Sequence, residues 1–144
     1  MNTAKQESLD EILKKTRSKN IKQLVQALSK IEYITDIRPT EGHYWSAEFQ
    51  NYKDVVEFKR KIPVHPDVDK LMETIISKVN ANCLQADVRL NYEIAYDKYE
   101  ILIEPKKGVS SPPKMREAVN KALDRTTKAV EEYMGKYVKN KSRD

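Results

Sequence analysis

The sequence predicts an α+β domain, an antiparallel sheet of about five strands with helices on one face, in the order α-α-β-β-β-α-β-β-α. Three observations carry this. Apolar residues recur at helical spacing in several separate stretches, alternate with polar residues in others, and prolines stand where one pattern gives way to the next. A chain of 144 residues fits one domain. The reading is therefore a single α+β domain over 1–144, with basic terminal segments at 1–19 and 136–144.

The elements follow in order. Ser8 and Glu11 have capping-box spacing, and Leu9, Ile12 and Leu13 form a first apolar stripe. Arg17-Ser18-Lys19-Asn20 breaks that helix, with Asn20 as the expected cap of a second. Ile21, Leu24, Val25 and Leu28 then recur at i, i+3, i+4 and i+7. A change to period two follows. Tyr33, Thr35 and Ile37 predict one strand, Trp45, Ala47 and Phe49 a second, and Val56, Phe58 and Ile62 a third, joined as a meander.

Pro63 closes the third strand, and Pro66 suits the first position of a helix, with Asp67 and Asp69 complementing its dipole. Val68, Leu71, Met72, Ile75, Ile76 and Val79 give that helix its apolar stripe. From Leu84 to Tyr96 every second residue is apolar, which predicts a long strand spanning roughly 40 Å if unbroken. Asp97-Lys98 turns it into a partner strand with Tyr99, Ile101 and Ile103 inward. After the loop Pro105 to Pro113, a final helix is expected from Pro113 to about Val138, with Met115, Val119, Ala122, Leu123, Thr126, Val130, Tyr133, Met134 and Tyr137 on its apolar side. Each hairpin ends in a proline and leads to a proline-initiated helix, a pattern that admits an internal duplication.

Composition narrows the functional classes. With 39% hydrophobic and 34% charged residues, the chain can build a core beneath a strongly polar surface. Cys83 is the single cysteine, so no internal disulfide forms. Met1 to Asp10 lacks the apolar centre of a signal peptide, and no run approaches the length of a membrane helix. A cytoplasmic protein is the expectation; a virion component made in the cytosol has the same composition.

The groups that carry catalysis are sparse. His43 and His65 have no third metal-ligand partner at suitable spacing, and His65 with Asp67 and Asp69 reads as a helix N-terminus rather than a metal site. There is no Gly-rich phosphate loop, nucleophile elbow, HExxH or CxxC. Cys83 reads as a small buried filler. The expectation is a protein with no catalytic residues, no metal and no cofactor.

Binding remains. The net charge of +5 is concentrated at the ends, leaving 31–135 slightly acidic. Lys14, Lys15, Arg17, Lys19 and Lys22 form one basic run and Lys136, Lys139, Lys141 and Arg143 another. Such runs meet nucleic-acid phosphate or an acidic protein surface. If both ends converge on one side of the sheet, they make one patch. Tyr44 and Tyr52, off the Trp45/Phe49 face, and Val130, Tyr133, Met134 and Tyr137 on the last helix are candidate protein contacts.

A strand leading through the Pro63–Pro66 loop to a helix and then a long hairpin resembles the small sheet-and-helix subunits of ring-forming tail-terminator and connector proteins of bacteriophages. That resemblance, one of fold alone, implies self-assembly. The α-β-β-β-α order across 20–80 also resembles double-stranded-RNA-binding domains, but their second helix opens on a basic cluster where this chain has Asp67-Val68-Asp69-Lys70. The leading expectation is a non-enzymatic assembly or interaction protein that self-associates or docks on a larger complex, a phage-type ring or connector subunit being one form. The alternative is a nucleic-acid-binding module using the two basic ends.

Overall fold

The computed structural model describes residues 8–41, 53–61, 66–82, 85–106, 108 and 111–142, with main chain only for 66–67, 80–82 and 136–142. Ser8 caps α1 (Leu9–Lys15), its Oγ accepting from the Glu11 N–H at 3.2 Å. The second helix, α2 (Lys19–Ser29), is capped by Ser18 and not by Asn20. A tertiary contact explains the shift: the Asn20 amide donates instead to Asp124 on the last helix, 2.6 Å away. The expected stripe is the buried one, with Ile21, Leu24, Val25 and Leu28 all fully enclosed.

The sheet comprises β1 (Ile34–Thr40), β2 (Asp54–Arg60), β3 (Ala86–Glu93) and β4 (Lys98–Pro105), in the order β1-β2-β4-β3 with every neighbour antiparallel. Two further helices, α3 (Pro66–Asn82) and α4 (Pro112–Ser142), complete the fold. Among the described residues there are thus four strands rather than five, in the order α-α-β-β-α-β-β-α. The expected strand through Trp45 lies outside the described residues. Instead of a three-strand meander, β1 pairs directly with β2, and the second hairpin inserts β4 against the other side of β2.

Two element lengths also differ from expectation. The long strand stops at Glu93, where Ile94–Tyr96 form a 3-10 turn and Asp97 adopts a left-handed conformation at φ 47°. At eight residues each, β3 and β4 match, so no strand outreaches its partner. The last helix is longer than expected, with 31 residues and a length of about 46 Å.

Strand alternation sorts the two faces. Val56, Phe58, Val88, Tyr99, Ile101 and Ile103 point inward and are at most 2% exposed. On this face α2 packs over β1, α3 over β3, and α4 lies between them against β3 and β4. The opposite face is polar and laced with ion pairs, Lys98 with Glu57 at 3.1 Å and Arg89 with Glu104 at 3.0 Å.

The sheet has two distinct ends. At one, Arg116 near the start of α4 reaches Asp54 at 2.7 Å. At the other, the Lys61 N–H donates to the Tyr33 carbonyl, and the Tyr33 hydroxyl meets that of Tyr133 at 2.8 Å. Helix α4 therefore runs from the Asp54 end to the Arg60 end.

Candidate interaction surface

The Arg60 end carries the side chains that the core does not absorb. Ile94 is 83% exposed and Tyr96 67%, with Tyr92 at 39% beside them. Large apolar side chains exposed singly are ordinary, but three within five residues make a patch. Their spacing of two residues is what extended the strand signal past Glu93. Ile94 and Tyr96 are apolar at the right spacing for a strand but contribute nothing to the core.

The turn that presents them is braced from below. The Arg60 guanidinium lies 5.6 Å from the Tyr92 ring centre and 5.5 Å from that of Tyr99, and donates to Asp97 Oδ1 at 2.5 Å. The Tyr92 hydroxyl donates to the same oxygen at 2.6 Å. These bonds fix the left-handed Asp97, a conformation Asp tolerates better than most residues. Behind them Tyr99 stacks on Phe58, ring centres 5.4 Å apart, and its hydroxyl donates to Asp69 on α3 at 3.1 Å. The Arg60 Nε is buried without a hydrogen-bond partner, and the tyrosine rings supply the compensating attraction.

Titration follows these contacts. The hydrogen bond from Tyr92, then that from Arg60, holds the Asp97 carboxyl below the usual carboxylate range. Bonding to Asp97 raises both Tyr92 and Arg60. Burial, then the Asp69 hydrogen bond, pushes the Tyr99 phenol up to about 12. Lys98 is raised by its hydrogen bond to Glu57. At neutral pH the brace is thus one cation, one anion and two neutral phenols, an arrangement that holds a turn rigid.

The sequence-predicted contacts distribute unevenly. Lys14, Lys15, Arg17 and Lys19 are exposed and Lys22 half-buried, all around the junction of α1 and α2. That junction sits at the Asp54 end: Ser18 Oγ accepts from Arg116, and Glu41 accepts from the Arg17 and Ser18 N–H groups. Lys136, Lys139 and Lys141 lie on the last turns of α4, at the Arg60 end, while Arg143 is outside the described residues. Twenty-three residues of helix separate Arg116 from Lys139, about 35 Å. Among the described residues the main chain of the two basic runs thus lies at opposite ends of the sheet.

On α4, Val130 is fully enclosed in the core and offers no contact surface. Tyr133 and Met134 are half-buried against the core, and Tyr137 has only its main chain described. Tyr44, Tyr52, His43, His65 and Cys83 lie outside the described residues. Among the described residues no cluster of three His, Cys, Asp or Glu side chains is placed to hold a metal, and no helix is long and apolar enough to cross a membrane. A concavity of about 610 Å³ lies between α1 and β1, with Leu9, Ile12, Asp36 and Thr40 in its lining.

Sequence reasoning missed Tyr92, Ile94 and Tyr96 as surface residues because it assigned them to a strand's buried row. The turn residues gave no warning: a two-residue Asp97-Lys98 loop would pair Tyr96 with Tyr99, whereas the observed register pairs Tyr99 with Tyr92 and leaves 94–97 as the loop. No family model, curated protein or solved structure matches this chain.

Proposed function

We propose that the chain is a non-enzymatic assembly or interaction protein that acts by self-association or by docking on a larger complex through its Arg60 end. The observation that carries this reading is the braced apolar turn, with Ile94 and Tyr96 held out at 83% and 67% exposure. A rigid aromatic and aliphatic anchor loses little conformational freedom on binding, which is how a few side chains dominate an interface. The last turns of α4, which carry Lys136, Lys139 and Lys141 in the sequence, end on the same side of the sheet. The phage-type ring or connector subunit is the form of assembly that the fold analogy adds.

Light scattering of the purified chain across concentration and salt, with and without a DNA or RNA duplex, tests the reading. A mass rising above 16.8 kDa at high salt without nucleic acid is expected. Apolar contacts survive salt, whereas phosphate contacts weaken steeply with it. A chain that stays monomeric at every concentration, yet gains mass on nucleic acid at about 50 mM salt and loses it on raising the salt, moves the assignment to the nucleic-acid module.

A further inference from the structure

The Asp54 end of the sheet is assembled from segments far apart in sequence. Arg116 joins them, donating to Asp54 at 2.7 Å and to Ser18 Oγ at 3.4 Å. Ser18 caps α2, Asp54 opens β2, and Arg116 stands near the start of α4. Beside each of the three lies an exposed cation. Arg17 and Lys19 flank Ser18, Lys53 precedes Asp54, and Lys114 comes two residues before Arg116. Lys53 and Lys114 belong to neither basic run of the sequence; the fold adds them.

The charge of these four is not spent inside the fold. Among the described residues none of them makes an ion pair. The centre they surround is neutral, because Arg116 answers the buried Asp54. One further anion stands close by. Glu41 accepts from the Arg17 and Ser18 N–H groups at 3.2 and 2.6 Å, so main-chain donors already engage it. Four cations against Glu41 leave a local surplus of three positive charges. Elsewhere the bases are matched. Lys121 pairs with Glu117 along α4, and Lys98 and Arg89 pair with Glu57 and Glu104 on the outer face of the sheet.

We propose that the Asp54 end is a second binding surface, which grips the phosphate backbone of a nucleic-acid duplex without regard to base sequence. It goes beyond the assembly reading, which uses the opposite end of the sheet, and holds whether or not the chain self-associates. The make-up of the patch favours phosphate over a protein partner. A protein interface sets apolar or aromatic anchors at its centre and leaves charge to the rim. Here the centre is the Arg116–Asp54 pair and the surround is cationic. A polyanion asks for separate cations, each of which displaces counterions from one phosphate. Bases set around a centre form a patch rather than a track, which suits the two strands of a duplex. Their roots on three segments tied by Arg116 preset the spacing, so less freedom is lost on binding. Phosphate contacts fix position and carry no base information. Four of them imply a slope of log K against log salt of about −3.6, a loss of roughly a hundredfold between about 50 and 200 mM salt.

Fluorescence anisotropy of a labelled DNA duplex of about 20 bp, titrated with the full chain across salt, tests this. Lys53→Gln and Lys114→Gln are each expected to weaken binding and to reduce the slope by about one. The four changes Arg17→Gln, Lys19→Gln, Lys53→Gln and Lys114→Gln together are expected to abolish binding at about 50 mM salt. Lys30→Gln, exposed at the far end of α2, should leave affinity and slope unchanged. All these side chains are exposed, and an unaltered urea midpoint verifies the fold of each variant. No binding by the native chain at about 50 mM salt overturns the proposal, as does a native slope in Lys53→Gln and Lys114→Gln. So does a loss that follows Lys136→Gln/Lys139→Gln/Lys141→Gln in place of the four. Poly-glutamate that displaces the duplex as well as unlabelled duplex does would reassign the surface to an acidic protein and overturn it too. Sedimentation at high salt reads self-association separately, so failure here leaves the assembly reading untouched.

Discussion

Replacing Arg116 by Met removes the guanidinium that anchors the start of α4 to the sheet. Arg116 bonds Asp54 at 2.7 and 3.3 Å, Asn120 at 2.7 and 3.0 Å, and Ser18 at 3.4 Å. The Asp54 side chain is 0% exposed, whereas that of Arg116 is 26% exposed. This asymmetry sets the magnitudes. Loss of the arginine strands a carboxylate without water, and such a break in a buried pair costs about 3–5 kcal/mol. Asp54 keeps other contacts, which places Arg116→Met near the lower figure. Asp54→Asn leaves an arginine that reaches water and an amide that still bonds, a cost of about 1–1.5 kcal/mol. With a urea m-value of about 2 kcal/mol/M, the midpoint falls by roughly 1.5 M for Arg116→Met and about half that for Asp54→Asn. The double variant is expected to be more stable than the two effects added together, since the second change removes the stranded charge. Equal midpoints for the two single variants, or a loss below about 0.5 M for Arg116→Met, would refute the buried-pair reasoning.

Other consequences are direct. Phe58→Ala empties a fully enclosed site between Tyr99 and the helices and should cost about 3–5 kcal/mol by urea unfolding. Tyr99, with its pKa raised to about 12, contributes stability that is complete below the unfolded tyrosine value near 10 and is lost as pH rises through about 12. Its absorbance titration should therefore trail that of exposed tyrosines, and Tyr99→Phe should remove the late step. Asp97, with its pKa lowered, contributes stability present above the unfolded aspartate value near 3.9 and lost as pH falls through its folded value. The difference in melting temperature between wild type and Asp97→Asn should shrink on acidification below about pH 4; a difference independent of pH contradicts the brace.

What the sequence made legible is what periodicity encodes. The stripes Ile21–Leu28 and Val68–Val79 are buried as read apart from the half-buried Ile76, and Tyr99, Ile101 and Ile103 face the core. The alternation of Val56 and Phe58 likewise found its strand. Periodicity states which face is apolar but not what covers it. Ile94 and Tyr96 kept the strand rhythm while standing on a turn, because the alternation there serves a surface. The Ser18 cap was hidden for another reason: Asn20 is as good a cap, and the decision fell to a contact with Asp124, 104 positions away. Sheet order is non-local too, so nothing near β2 announced that β4 rather than a third consecutive strand would lie beside it. Separation of the basic segments followed only once α4 was seen to run the length of the sheet.

The most direct test of association through the Arg60 end is sedimentation equilibrium at high salt, comparing wild type with Ile94→Ser/Tyr96→Ser. Both residues are exposed, so the fold should tolerate their loss, and unchanged circular dichroism and urea midpoint verify this. Wild type should show a mass that climbs with concentration while the double variant stays at 16.8 kDa. Identical association curves for the two proteins, or a wild type that is monomeric throughout, would contradict it.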